Sequence, residues 1–212
     1  MRCIWILTVL ITCQGALAND IGEVMDKAKQ GSAISQYILA TEYQYGLGGL
    51  IEDDAEAIKW MRKSALQGTA IAQYNLSLML ANGEGTPKNY AKAMEWLIKS
   101  ANQGYLEGQT TLGRVYAAGE ITPKNYEQAI YWLSKAVKGG DVDAVHHLAQ
   151  SFQDTGNIIK AYAWWSISLL TEGAYPIKLL IREMESELDY DQILEAQSLA
   201  AKCYESDYKD CD

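Results

Sequence analysis

Apolar positions return along this chain at a long, nearly constant interval. Leu39, Leu76, Leu112 and Leu148 recur at 37, 36 and 36 residues, and Tyr43, Leu80, Tyr116 and Phe152 lie four residues beyond each. An apolar pair at i and i+4, set among polar positions, is one face of an amphipathic helix. A second series, Ala57, Ala93, Ala129 and Ala161, is followed three residues later by Trp60, Trp96 and Trp132 in its first three copies. It marks a second helix, in which the small alanine admits a close neighbour and the tryptophan fills the space beside it.

Glycines punctuate both series. Gly46, Gly83, Gly119 and Gly156 follow the first helices, and Gly31, Gly68, Gly104 and Gly140 follow the second. The residue just past a helix often turns left-handed, which glycine does without steric penalty. Thr86-Pro87-Lys88-Asn89 and Thr122-Pro123-Lys124-Asn125 then turn the chain, with Asn89 and Asn125 as N-caps. The first copy carries Glu52-Asp53-Asp54 instead, with one extra loop residue, and its acids suit a helix N-terminus. The expected helix pairs are 32–45 with 54–66, 69–82 with 90–102, 105–118 with 126–138, and 141–154 with 158–171. A partial helix over 21–30 precedes them, and helices near 175–187 and 190–205 follow. Units of this length bury a continuous core only against their neighbours, so end units depart from the repeat. Residues 19–31 are therefore expected as an N-terminal cap, 32–173 as four units with the last degenerate, and 174–212 as C-terminal capping helices.

The text of the copies resembles the Sel-one-like repeats (SLR), a branch of the tetratricopeptide superfamily. The resemblance is carried by Ala65-Leu66-Gln67-Gly68, Ala72-Gln73-Tyr74-Asn75-Leu76, Gly83-Glu84-Gly85, Asn89-Tyr90-Ala91-Lys92-Ala93, Trp96 and Ala101-Asn102-Gln103-Gly104. The fourth copy departs with Ala161-Tyr162-Ala163-Trp164-Trp165, which looks like the closing repeat of bacterial members. The resemblance implies an all-α fold, a right-handed α-α superhelix (solenoid) whose first helices line a concave groove. It also implies an adaptor, often at the bacterial envelope. On a helical wheel, residues two before and two after each stripe leucine point away from the core. The expected partner-binding residues are thus Tyr37 and Thr41, Tyr74 and Leu78, Thr110 and Arg114, and His146 and Gln150. Aromatics and arginine anchor many interfaces, while Tyr37 and Tyr74 could equally cover the helix seam or stack on a glycan.

The ends add a location. Arg2, the apolar run from Cys3 to Cys13, and Ala16-Leu17-Ala18 read as a signal peptide over 1–18, cleaved before Asn19. A membrane anchor would need about 20 apolar residues, and a lipidated Cys13 would follow a poorly suited Thr12. The expected product is periplasmic, or secreted into the envelope, without a transmembrane segment. Cleavage leaves two cysteines, Cys203 and Cys211. An even count in an exported chain favours a disulfide, with two free thiols as the alternative. The chain holds 18 Lys+Arg and 27 Asp+Glu for a net charge of −9. That balance disfavours nucleic acid, which demands a basic stripe, and leaves protein partners in the envelope.

Catalytic chemistry is hard to find. His146 and His147 are adjacent on one helix, point in different directions and cannot share a metal on one face. Ser100 and Ser134 occupy repeat positions, and no HExxH, phosphate loop or Ser-x-x-Lys appears in the mature repeats. No catalytic residue, metal ligand or cofactor site is expected. One resemblance points the other way. A cysteine-rich SLR subset classed with β-lactamases spaces its cysteines as Cys203 and Cys211 are spaced, but does so in most repeats. The alternative function is a β-lactamase-like or peptidoglycan-related hydrolase of that type.

Overall fold

A computed structural model describes residues 21–172 and 175–211. The signal-peptide cleavage expected after Ala18 therefore lies outside the described residues. The chain divides into two compact units, Met1–Gln103 and Gly104–Asp212. Among the described residues every regular element is a helix.

The first unit holds α1 (21–29), α2 (Ala33–Tyr45), α3 (Asp54–Leu66), α4 (Ala70–Asn82) and α5 (Tyr90–Asn102). Helices α2 and α3 form one hairpin, α4 and α5 the next, and α4 packs back on α3. The stripe leucines Leu39 and Leu76 are fully buried, as are Ala57 and Met61. Ala40 and Ser77, the small residues after each stripe leucine, are buried too. Helix starts follow sequence chemistry. The Asp53 carboxylate accepts from the Ala55 and Glu56 N–H groups, and Asn89 accepts from Lys92 N–H. Each satisfies donors that have no partner inside the helix.

Two polar staples recur across these hairpins. Ser64 Oγ donates to the Ala33 carbonyl at 2.7 Å and Ser100 Oγ to the Ala70 carbonyl at 2.8 Å. Beside each serine runs a glutamine relay. Gln67 donates to Gln36 Oε1 at 2.7 Å, and Gln36 donates to the Ala28 carbonyl of α1 at 3.0 Å. One repeat later Gln103 donates to Gln73 at 2.7 Å, and Gln73 donates to the Ala65 carbonyl of α3 at 3.1 Å. The buried amide thus joins its own hairpin partner to the hairpin before, and each of its bonds closes an otherwise unmet backbone or side-chain group.

The second unit holds α6 (Leu106–Ala118), α7 (Tyr126–Lys138), α8 (Asp143–Asp154), α9 (Ile158–Glu172), α10 (Tyr175–Glu185) and α11 (Tyr190–Glu205). Hairpins α6–α7 and α8–α9 stack through α7 and α8, and α9 is covered by α10 and α11. Gly113 lets α7 in so closely that a Cβ there would sit 2.6 Å from Leu133 Cγ. The third copy lacks the serine and the outer glutamine of these staples. Ala136 stands where Ser64 and Ser100 stood, and Leu106 fills the space over Gly139, the position of Gln67 and Gln103. Helix α8 starts two residues later than its sequence suggests. The Asp141 carboxylate is occupied, accepting from Thr110 Oγ1 and from the Asp143 N–H, so the chain turns into helix only after it. Cys203, on the last turn of α11, comes within bonding distance of Cys211 beyond it, with Cα atoms 4.4 Å apart, both buried in the core of this unit.

The tryptophans do not all fill gaps as expected. Trp132 is buried, but Trp60 and Trp96 are half-buried, each with a lysine ammonium over its ring, Lys63 at 3.6 Å and Lys99 at 4.1 Å. A cation held over an indole face is attracted by the ring quadrupole and shields part of its apolar surface.

Candidate partner-binding face

The first helix of each hairpin shows solvent a single stripe. On α2 it is Ile34, Ile38, Thr41 and Tyr45, and on α4 it is Ile71, Asn75, Leu78 and Asn82. On α6 it is Glu107, Thr111, Arg114 and Ala118, and on α8 it is Asp143, His147, Gln150 and Asp154. The spacing of four, three and four keeps each set on one side of a 3.6-residue turn.

Four expected residues stand on this stripe: Thr41, Leu78, Arg114 and Gln150. Thr41 returns its hydroxyl to the Tyr37 carbonyl of its own helix, and Gln150 donates to Asp154 at 2.8 Å. The other four turn towards the seams. Tyr37 is half-buried against the core of the first unit, and Tyr74 is half-buried on α4. His146 stands edge-on to Trp165, with ring centroids 4.7 Å apart. Thr110 is the clear correction. It is only 8% exposed and its hydroxyl is held by Asp141, so it cannot meet a partner. The reason is where the buried face is centred. It is not on the stripe leucine but past it, because Gln36, Ala40 and Tyr43, and their equivalents, also turn inward. The residue two before the leucine is thereby rotated onto the seam, and the residue two after stays outside.

The two units present different chemistry. In the first, the stripe is mainly apolar and uncharged, with Ile34 68% and Tyr45 62% exposed. In the second it is mixed. Arg114 on α6 is exposed, and its charge reaches His147 on α8. Burial pushes the His147 imidazole below its ordinary range, the Arg114 guanidinium and His146 add to this, and Asp143 and Asp141 oppose it. A shallow depression of about 280 Å³ lies beside Arg114, walled by Val115, Ala118 and Ile121.

The lowered His147 titration has a stability consequence of definite sign. A group that binds its proton less readily when folded gives stability that is present above its unfolded pKa. That stability is lost as pH falls through the lower folded value. The second unit is therefore expected to weaken on acidification below about pH 6.5, the ordinary histidine value. His147→Gln should flatten that part of the profile, read as the difference between wild-type and variant melting temperatures from pH 7.5 to 5.

The sequence assigns His147 no place on the partner face, and it does not single out the buried relay of Gln36 and Gln73. Their signal was present, since Gln36, Gln73 and Gln109 recur at 37 and 36 residues, in step with the leucines. Among the described residues no three His, Cys, Asp or Glu side chains are placed to hold a metal ion, and no helix is long and apolar enough to cross a membrane.

Repeated hairpins with an outward stripe on each first helix define an all-α repeat protein of solenoid type. The Sel1 repeat family model matches residues 33–69, 70–105 and 106–141, half of the chain, and the chain belongs to that family. It is similar to the crystal structure of a protective antigen present in uropathogenic Escherichia coli strains, which displays an SLR fold. The two share 28% identity over 89% of this chain, with a TM-score of 0.71. The chain spans 41% of that antigen's length. It is also similar to a Sel1 repeat protein from Oxalobacter formigenes, at 32% identity over 61% of this chain and 96% of that one, with a TM-score of 0.56. Among curated proteins none matches. Sel1 repeat proteins generally act as scaffolds for protein–protein interaction, and the fold is typically non-catalytic.

Proposed function

We propose that this protein is an exported adaptor that binds a protein partner of the bacterial envelope through the outward stripes of its first helices. The observation that carries the reading is the α6–α8 face, where Arg114, His147 and Gln150 lie exposed or half-exposed, with a depression of mixed lining beside Arg114 on α6. A cation flanked by hydrogen-bonding groups and apolar walls is the composition of an interface anchor. Export is supported by the leader-like residues 1–18 and by the paired Cys203 and Cys211, which an oxidising compartment would keep joined. The acidic balance of the chain favours protein over nucleic-acid partners.

The test is affinity capture from envelope extracts with wild type and an Arg114→Ala, Gln150→Ala double variant. A protein retained by the wild type and weakened about tenfold or more by the variant is expected, the effect of losing a moderate interface anchor. Equal retention by both removes the α6–α8 face from the reading. Turnover of a chromogenic β-lactam by the purified chain would replace the adaptor with the hydrolase alternative.

A further inference from the structure

The outward stripes of the second unit carry charge in a fixed order. On α6 the stripe opens on Glu107 and passes Thr111 and Arg114, and Glu120 follows at its far end, in the same depression as Arg114. On α8 it runs from Asp143 through His147 and Gln150 to Asp154. Glu107 and Asp143 are equivalent positions of successive copies, as are Arg114 and Gln150. Both stripes therefore have acids at either end, with a cation or hydrogen-bonding groups between them. Arg114 is exposed, and among the described residues its guanidinium forms no ion pair. Gln150 donates to Asp154 at 2.8 Å, which leaves its amide oxygen and second N–H to spare.

A guanidinium matches a carboxylate through paired N–H donors. The acids at the stripe ends would repel a uniformly acidic segment, while Arg114 would repel a uniformly basic one. Along a helix the span from Asp143 to Asp154 is about 16 Å, so each acid lies about 8 Å from the middle. An extended chain covers that distance in roughly two to three residues. We propose that this face takes a protein segment with one carboxylate, seated on Arg114 and Gln150, and a basic side chain two to three residues to either side, facing the end acids. Each pair alone is weak where water reaches it, so their order selects and orients the partner more than it tightens binding. The inference rests on the α6–α8 face being the adaptor surface, and it names the chemistry the partner presents there.

The test is selection of nine-residue peptides, displayed on phage, by the purified protein. Enrichment of sequences with one acid and a Lys or Arg two to three residues on each side is expected. A synthetic peptide from that set should bind Arg114→Gln about tenfold more weakly than wild type, and Asp143→Asn, Asp154→Asn about threefold more weakly, effects in the range of partly exposed charge pairs. Replacing the acid of the peptide by its amide should make wild type and Arg114→Gln bind alike. Selection without this order, no selection at all, or an affinity that Arg114→Gln leaves unchanged overturns the charge pattern. The adaptor reading fails separately. If no ordered peptide is selected but the Arg114→Ala, Gln150→Ala variant still loses a captured envelope protein, the charge pattern falls and the adaptor stands. If the peptide results hold and wild type captures no envelope protein, the face remains a peptide site and the adaptor reading is what fails.

Discussion

Gly85→Ala is expected to lower the stability of the first unit by about 2–4 kcal/mol, from left-handed backbone and overpacking acting together. Gly85 sits at φ +63° in the loop after α4, a region that side chains rarely adopt. A Cβ there would run into the backbone carbonyl of Asp54, and would come within 3.0 Å of Ala55 N. Those atoms are the first turn of α3 in the preceding hairpin, already fixed by the Asp53 cap. They cannot move aside as the tip of a flexible side chain can, so the two hairpins must separate. Gly68→Ala is the control. It shares the left-handed conformation, at φ +92°, but a Cβ would meet nothing within 4 Å. Its loss should be about 1–2 kcal/mol, the conformational term alone. Urea unfolding followed by circular dichroism compares the two. Equal losses would show that the approach of loop to helix is not a stabilising contact.

The second large effect is expected at Gln73. Gln73→Ala should destabilise the first unit by about 2–3 kcal/mol, because it leaves buried hydrogen-bonding groups without partners. The Ala65 carbonyl loses its donor, and the Gln103 amide loses its acceptor. Gln103→Ala removes only the exposed end of the relay and should cost well under half as much. A double variant tells the two arms apart. If the relay acts as a unit, Gln103→Ala adds little once Gln73 is gone. Full additivity would mean that Gln73 matters only through its bond to Ala65.

These residues also show what the sequence could and could not reveal. The helices were legible because each wears its period and its punctuation. The α2 and α4 boundaries fall within a residue of those expected from the leucines, the glycines and the Asn89 turn. Gln73 carried the same periodicity, yet a glutamine reads as a surface residue. Its burial depends on a carbonyl supplied by the preceding hairpin, which no local pattern encodes. The binding face was legible only in half. A wheel centred on Leu112 places Thr110 and Arg114 symmetrically outside, but the neighbours of that leucine shift the buried arc and carry Thr110 under Asp141. Asp141 shows the same limit in a helix boundary, since its carboxylate is committed to α6 before α8 can start.

The indoles carry an optical consequence. Trp60 and Trp96 in the first unit are half-buried under lysine ammonium groups, whereas Trp132, Trp164 and Trp165 in the second are sealed. Collisional quenchers such as acrylamide reach the first pair and not the second set. The emission of these five indoles therefore separates into two populations, and the fate of either half can be followed without any added label.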